Sequence, residues 1–321
     1  MKGSKRIIMS LFLIFTIFVT SAQNLQVAAA ASNSVATDQK ADSAKSINQI
    51  DLLKIKKLLK HQKKVFKFYD KKIYPNGVNE EATDQAIKTT TNNIKNKQPN
   101  LIPKLLDLEK VLREDENIPP FVWENSNYQG VDAVVNALIY HWNYFRDTGG
   151  SLMKAMQLAA VKKFDLPYAD LKRWEKDKLD NYESYIDTIG VVLEEMKNET
   201  YKFLASKGIK ELPVFRGIKT PEKINTDKNN IGSHQLAPLS SFTISKEVAD
   251  DFSVPHQPGL YPYVLVEYVP INQILSLGPT GLGTCFLYEA VVIGGKDPDS
   301  KFFILPGKMS SDKKKKETKA A

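Results

Sequence analysis

Apolar residues follow helical spacing through the first two-thirds of the chain and shorter, strand-like spacing after it, with the change near residue 210. From Ile50 to Tyr69 the positions Leu52, Leu53, Ile55, Leu58, Leu59, Val65, Phe66 and Tyr69 roughly repeat at helical intervals with lysines between them, which predicts a basic amphipathic helix. Such a helix suits either a membrane surface or packing on its own domain, and the second is the commoner use. Helical patterns return over Leu101 to Glu114, with Pro103 in the first turn, and over about Gly130 to Phe145, Leu152 to Phe164 and Tyr168 to Leu204. Asn76-Gly77 and Thr89-Thr90-Thr91 read as loop punctuation, and Gly149-Gly150 and Gly208 as separators.

From Leu212 the apolar runs shorten and become rich in β-branched and aromatic residues. Strands are expected at Pro213 to Gly217, Pro238 to Ile244, Tyr261 to Val269, Ile274 to Leu277, Thr284 to Gly294 and Lys301 to Leu305, separated by turn residues such as Gly278-Pro279-Thr280-Gly281. Helices followed by strands give an α+β architecture, a helical half packed on a mixed or antiparallel sheet. No repeat of 20 to 50 residues argues for a solenoid.

The ends carry a different composition. Lys2, Lys5 and Arg6 precede an apolar run from Ile7 to Val19, and small residues follow at Ala28 to Ala31, the pattern of a secretory signal peptide over 1–31. Residues 32–48 are polar and read as a disordered leader, and 307–321 as a basic disordered tail with Lys313 to Lys316. The net charge of +8 stays positive when the three cations of the signal segment are set aside. Anionic surfaces are therefore candidate partners, whereas no specific nucleic acid is expected. Cys285 is the one cysteine, so no internal disulfide forms and stability must come from packing. With 42% hydrophobic residues the chain can bury a core.

Several chemistries drop out by pattern. His61, His141, His234 and His256 are scattered without metal-ligand spacing, so no metal is implied. Neither a GxSxG elbow nor a GxxxxGK[ST] loop occurs, and Gly278, Gly281 and Gly283 are not followed by a helix that would seat a phosphate. Cys285 reads as a small buried hydrophobe. What remains is an ordered trio in the strand-rich half: Phe215-Arg216-Gly217, then Leu239-Ser240-Ser241-Phe242-Thr243 followed by Ser245, Val248-Ala249 and Phe252, then Tyr288-Glu289-Ala290-Val291-Val292 after a glycine-rich turn.

That order resembles the Arg-Ser-Glu class of mono-ADP-ribosyltransferases, over about residues 210 to 306. The resemblance implies a two-sheet, mainly antiparallel core, with 49–208 as a helical region and 209–306 as the NAD-binding catalytic core. Glu289 would then be the catalytic carboxylate at an oxocarbenium-like ribose, and Ser241 the hydroxyl that holds it in its productive rotamer. Arg216, Gly217 and Thr243 would bind NAD, which is substrate as well as cofactor, with the guanidinium clamping its phosphates. Phe242 and Thr243 stand where the family usually has Thr and Ser, and Leu287 stands at the acceptor-side position, two before the glutamate, where transferring members commonly have Glu or Gln. The expectation is a secreted toxin that transfers ADP-ribose to a macromolecular acceptor, a protein first of all, with a delivery partner or an anionic surface as further partners. A secreted NAD glycohydrolase and a non-catalytic surface-binding protein on the same fold are the alternatives.

Overall fold

The structure, a computed structural model, describes residues 50–79, 81–124, 127–145, 150–166, 179–294 and 300–309. The expected signal segment, the leader and the Lys313 to Lys316 run lie outside the described residues. Instead of one helix after Ile50 there are two, α1 (Leu52–Lys60) and α2 (Gln62–Ile73), broken at His61. Asp51 starts α1, its carboxylate accepting from the Lys54 N–H at 3.0 Å.

The Thr89 to Thr91 cluster is not a loop. It lies inside α3 (Glu81–Lys97), where Thr90 and Thr91 are buried along with Ala86, Ile87 and Ile94. Packing of that stripe outweighs the weak helix propensity of β-branched residues. Three expected helices are found, α4 (Ile102–Glu114, with Pro103 in the first turn), α6 (Val131–Phe145) and α7 (Ser151–Lys163), and a short helix that the pattern did not announce, α5 (Phe121–Glu124), precedes α6. Of the helix expected over Tyr168 to Leu204, residues 168–178 lie outside the described residues, Asp180–Tyr185 forms a 3-10 turn, and the rest is α8 (Ile186–Ser206). None of the described helices is long and apolar enough to cross a membrane.

Strands begin at Glu211: β1 (Glu211–Thr220), β2 (Ile231–Ser233), β3 (Leu239–Thr243), β4 (Tyr261–Pro270), β5 (Ile274–Leu277), β6 (Glu289–Ile293) and β7 (Lys301–Pro306), with α9 (Lys246–Ser253) between β3 and β4. All pair antiparallel in one sheet of order β2-β7-β4-β1-β3-β6-β5. The fold is thus α+β with one seven-stranded antiparallel sheet among the described residues, where the sequence reading anticipated a mixed, mainly antiparallel core of two sheets.

That sheet is joined at its middle by a single residue pair, Phe215 with Thr243. Leu212, Val214, Leu265 and Phe302 from one side of the junction share a hydrophobic cluster with Phe242, Ala290, Val292 and Ile274 from the other. The outer face of β1, β4 and β7 packs Phe215, Val264, Val266 and Phe303 against Ile55 and Leu58 of α1 and Ala249 of α9. The outer face of β3, β5 and β6 packs Leu239, Leu275, Val291 and Ile293 into the bundle formed by α3 to α8. Helical and strand-rich residues therefore belong to one compact unit from Ile50 onward, and the segments expected at 49–208 and 209–306 share a core.

Candidate active site

Strand alternation sets the site. In β3 and β6 the side chains of Leu239, Val291 and Ile293 enter the helical bundle, whereas Phe242, Ala290 and Val292 enter the core on the other side. Ser241 shares the face of Leu239, and Glu289 that of Val291, with Thr243 paired to Glu289 and Ser241 to Val291 across the ladder.

Glu289 is 1% exposed, and its carboxylate is held from three directions. Ser241 Oγ donates to Oε1 at 2.5 Å, Trp142 Nε1 of α6 donates to the same oxygen at 3.1 Å, and the Thr284 N–H donates to Oε2 at 2.8 Å. A carboxylate this buried needs such donors, because an unsatisfied buried charge is far costlier than a solvated one. The Thr284 contact is reciprocal, since the Glu289 N–H donates to the Thr284 carbonyl at 3.2 Å. Between them lie a 3-10 turn, Cys285–Leu287, and Tyr288 at φ +51°. Left-handed backbone is uncommon for an aromatic residue and persists where surroundings over-determine it. Here the Tyr288 ring meets Phe66 of α2 and Tyr74 edge-on at centroid distances of 4.9 and 5.5 Å.

Arg216 approaches from β1. Its Nη1 donates to the Ser241 carbonyl, and its guanidinium lies 5.8 Å from the Phe242 ring centroid. Burial, with the Arg216 charge as the second cause, pushes His234 down to about 4, so this imidazole is neutral at physiological pH. The structure thus brings Arg216, Ser241 and Glu289 together from positions 25 and 48 residues apart.

Other expected site residues sit differently. The Thr243 hydroxyl donates to the Leu287 carbonyl at 2.7 Å and accepts from the Ser245 N–H at 3.0 Å, so it braces the turn before Glu289. Leu287 is fixed there by its backbone, with its side chain half-buried. Gly217 faces away from the carboxylate: a Cβ there would collide with the Ala249 carbonyl and stand 2.6 Å from Ser253 N, both α9 backbone. Its missing side chain serves helix packing where close approach of a ligand was expected. Burial raises the Cys285 thiol to about 11, in keeping with a packing role.

Comparison of the chain with protein-family models, with curated proteins and with solved structures gave no match. The geometry must carry the functional reading by itself.

Three residues that no motif announced complete the site. Trp142 reaches Glu289 across 147 positions. Gln157 of α7 accepts from the Leu239 N–H at 2.7 Å and donates to the Leu239 carbonyl at 3.1 Å, pairing the β3 backbone where β1 has diverged from it. His234 is the third. The described hollows lie elsewhere: one of about 450 Å³ is lined by Thr220 to Asn225 and Ser233, and one of about 500 Å³ lies between α3, α8 and Pro279-Thr280. Beside the buried Glu289 carboxylate, Ser241 and Arg216 are both half-buried. Among the described residues no three His, Cys, Asp or Glu side chains cluster closely enough to hold a metal ion.

Proposed function

We propose that this chain is a secreted, toxin-type enzyme that breaks the nicotinamide-ribose bond of NAD and transfers ADP-ribose to a macromolecular acceptor, with proteins as the acceptor class. The observation that carries the reading is the linked arrangement of Arg216 on the Ser241 carbonyl and Ser241 Oγ on the Glu289 carboxylate. Breaking the C1′–N bond sends its electron pair to nicotinamide and leaves positive charge on the ribose. A fixed carboxylate stabilises that charge and accepts a hydrogen bond from a ribose hydroxyl. Glu289 has that role, Ser241 orients it, and Arg216 supplies the phosphate clamp. An acceptor then attacks C1′ and loses its proton, giving ADP-ribosylated acceptor, nicotinamide and H⁺.

In the two-sheet, ADP-ribosyltransferase-like description of the core, the halves of the sheet meet at the Phe215–Thr243 junction and the NAD cleft opens beside it. The second reading, NAD hydrolysis with water as the acceptor, is favoured by Leu287, whose side chain offers no polar group to an incoming nucleophile.

The test incubates the protein and a Glu289→Ala variant with labelled NAD and a cell lysate, following nicotinamide release and label on macromolecules together. Release with labelling, reduced on the order of a thousandfold in the variant, supports transfer. Release without labelling supports hydrolysis. No release from the parent protein overturns both and leaves a binding protein on this fold.

A further inference from the structure

The exposed positions of α1 and α2 carry a lysine-rich stripe. On α1 the exposed positions are Leu53, Lys56, Lys57 and Lys60, which follow i, i+3, i+4, i+7 spacing. On α2 they continue as Lys63, Lys64, Lys67, Phe68 and Lys71. The opposite sides are already occupied: Ile55 and Leu58 by the outer core of β1 and β4, and Phe66, Tyr69 and Ile73 by the inner one.

Lysines directed toward the domain have partners there, Lys54 with Glu211 and Lys72 with the Lys207 carbonyl. Those of the stripe form no ion pair among the described residues. Within Ile50 to Tyr74 the acids are Asp51, which caps α1, and Asp70. Two large apolar side chains stand among these cations, Leu53 at 82% and Phe68 at 52% exposure.

We infer that this face docks on an anionic phospholipid bilayer, with the lysines at the headgroup phosphates and Leu53 and Phe68 entering the acyl boundary. Charge complementarity selects an anionic partner. The two apolar residues decide between partners: an exposed leucine contributes nothing on a phosphate backbone, whereas apolar side chains flanked by lysines are what an interfacial helix buries. The inference stands independently of the NAD reading. Its geometric link to the site is Phe66, on the inner side of α2, packed on Tyr288 next to Glu289.

Sedimentation with vesicles of phosphatidylcholine alone, or mixed with phosphatidylglycerol, tests this. The full chain is used beside a chain from Ser32, whose compact unit begins at Ile50. The comparison that decides is made in the shorter one, which lacks the apolar run Ile7 to Val19 and so isolates α1 and α2 from it. Binding is expected to the mixed vesicles alone and to weaken with salt. Lys57→Gln with Lys64→Gln should weaken it roughly 25-fold, about fivefold per lysine. Leu53→Ser with Phe68→Ser should weaken it by about tenfold and leave retention of duplex DNA unchanged. Unaltered near-UV circular dichroism and melting temperature show that each variant is folded. Three results would overturn the inference: no binding to mixed vesicles at low salt, equal binding to phosphatidylcholine alone, or full binding by the Leu53/Phe68 variant. In the last case the lysines serve a polyanion such as nucleic acid.

Discussion

Replacing Ser241 by Ala removes one hydroxyl from the candidate site and little else. The carbonyl that receives Arg216 Nη1 belongs to the backbone and stays, as do the Trp142 and Thr284 donors on Glu289. What is lost is a 2.5 Å hydrogen bond to a buried carboxylate. Such a bond to a charged group is worth about 1.5–3 kcal/mol. If it acts by holding the carboxylate toward the ribose, kcat for nicotinamide release should fall roughly 10- to 100-fold, since about 1.4 kcal/mol is a factor of ten. KM for NAD should hold, because the phosphate clamp is intact. The melting temperature should fall by only about 3–12 °C, at roughly 2–4 °C per kcal/mol for a chain of this size class. Ser241→Thr keeps a hydroxyl and should recover most of the rate. Steady-state kinetics of both variants beside Glu289→Ala decide the matter. Release by the alanine variant within twofold of the parent, or a raised KM at unchanged kcat, would refute the orienting role.

Burial alone raises the Glu267 carboxyl from its ordinary 4.5 to about 7. Between those values the folded state keeps a proton that the unfolded state releases, so stability should fall by about 3 kcal/mol as pH rises from 4.5 to 7 and then level off. Denaturant titrations at several pH values should lose that contribution in Glu267→Gln, and an unchanged slope would exclude Glu267 as its source. Gly217→Ala places a methyl against α9 backbone and should cost about 3 kcal/mol or more, lowering the melting temperature by roughly 6–12 °C; a calorimetric midpoint equal to the parent's would contradict the α9 packing. Leu287→Glu puts a carboxylate beside the turn that Thr243 braces, and should raise the ratio of label on a guanidine acceptor such as agmatine to free ADP-ribose. A ratio that does not move would mean that this position does not meet the acceptor.

Local elements were legible because their signals are local. Leu105, Leu108 and Leu112 at helical spacing behind Pro103 give α4, and Ile274 to Leu277 form a strand at the predicted residues. The order Arg216, Ser241, Glu289 was readable for the same reason, because each residue sits in a short local pattern. Contacts across the bundle left no such trace. Trp142 and Gln157 look like ordinary positions of α6 and α7, and their roles come from the approach of β6 and β3. Thr89 to Thr91 misled because turn composition and helix burial compete, and burial against Ile87 and Ile94 prevailed. The single sheet could not be anticipated, since one residue pair at Phe215 decides whether two sets of strands are joined.

The helical half takes part in the candidate site. Trp142 supplies a donor to Glu289, Gln157 pairs the β3 backbone beside Ser241, and Phe66 of α2 packs on the strained Tyr288. The strand-rich segment by itself would expose Leu239, Val291 and Ile293 and leave the carboxylate without its Trp142 donor. A carboxylate seated by groups from a helix, a strand and a turn is oriented in advance, which in the proposed reaction would lower the reorganisation needed when charge develops on the ribose. The same seat closes one side of Glu289 with the Trp142 indole. In the proposed reaction, exchange of that indole for a ribose hydroxyl would couple binding to chemistry, which would give α6, far in sequence from Arg216, Ser241 and Glu289, a part in controlling the site.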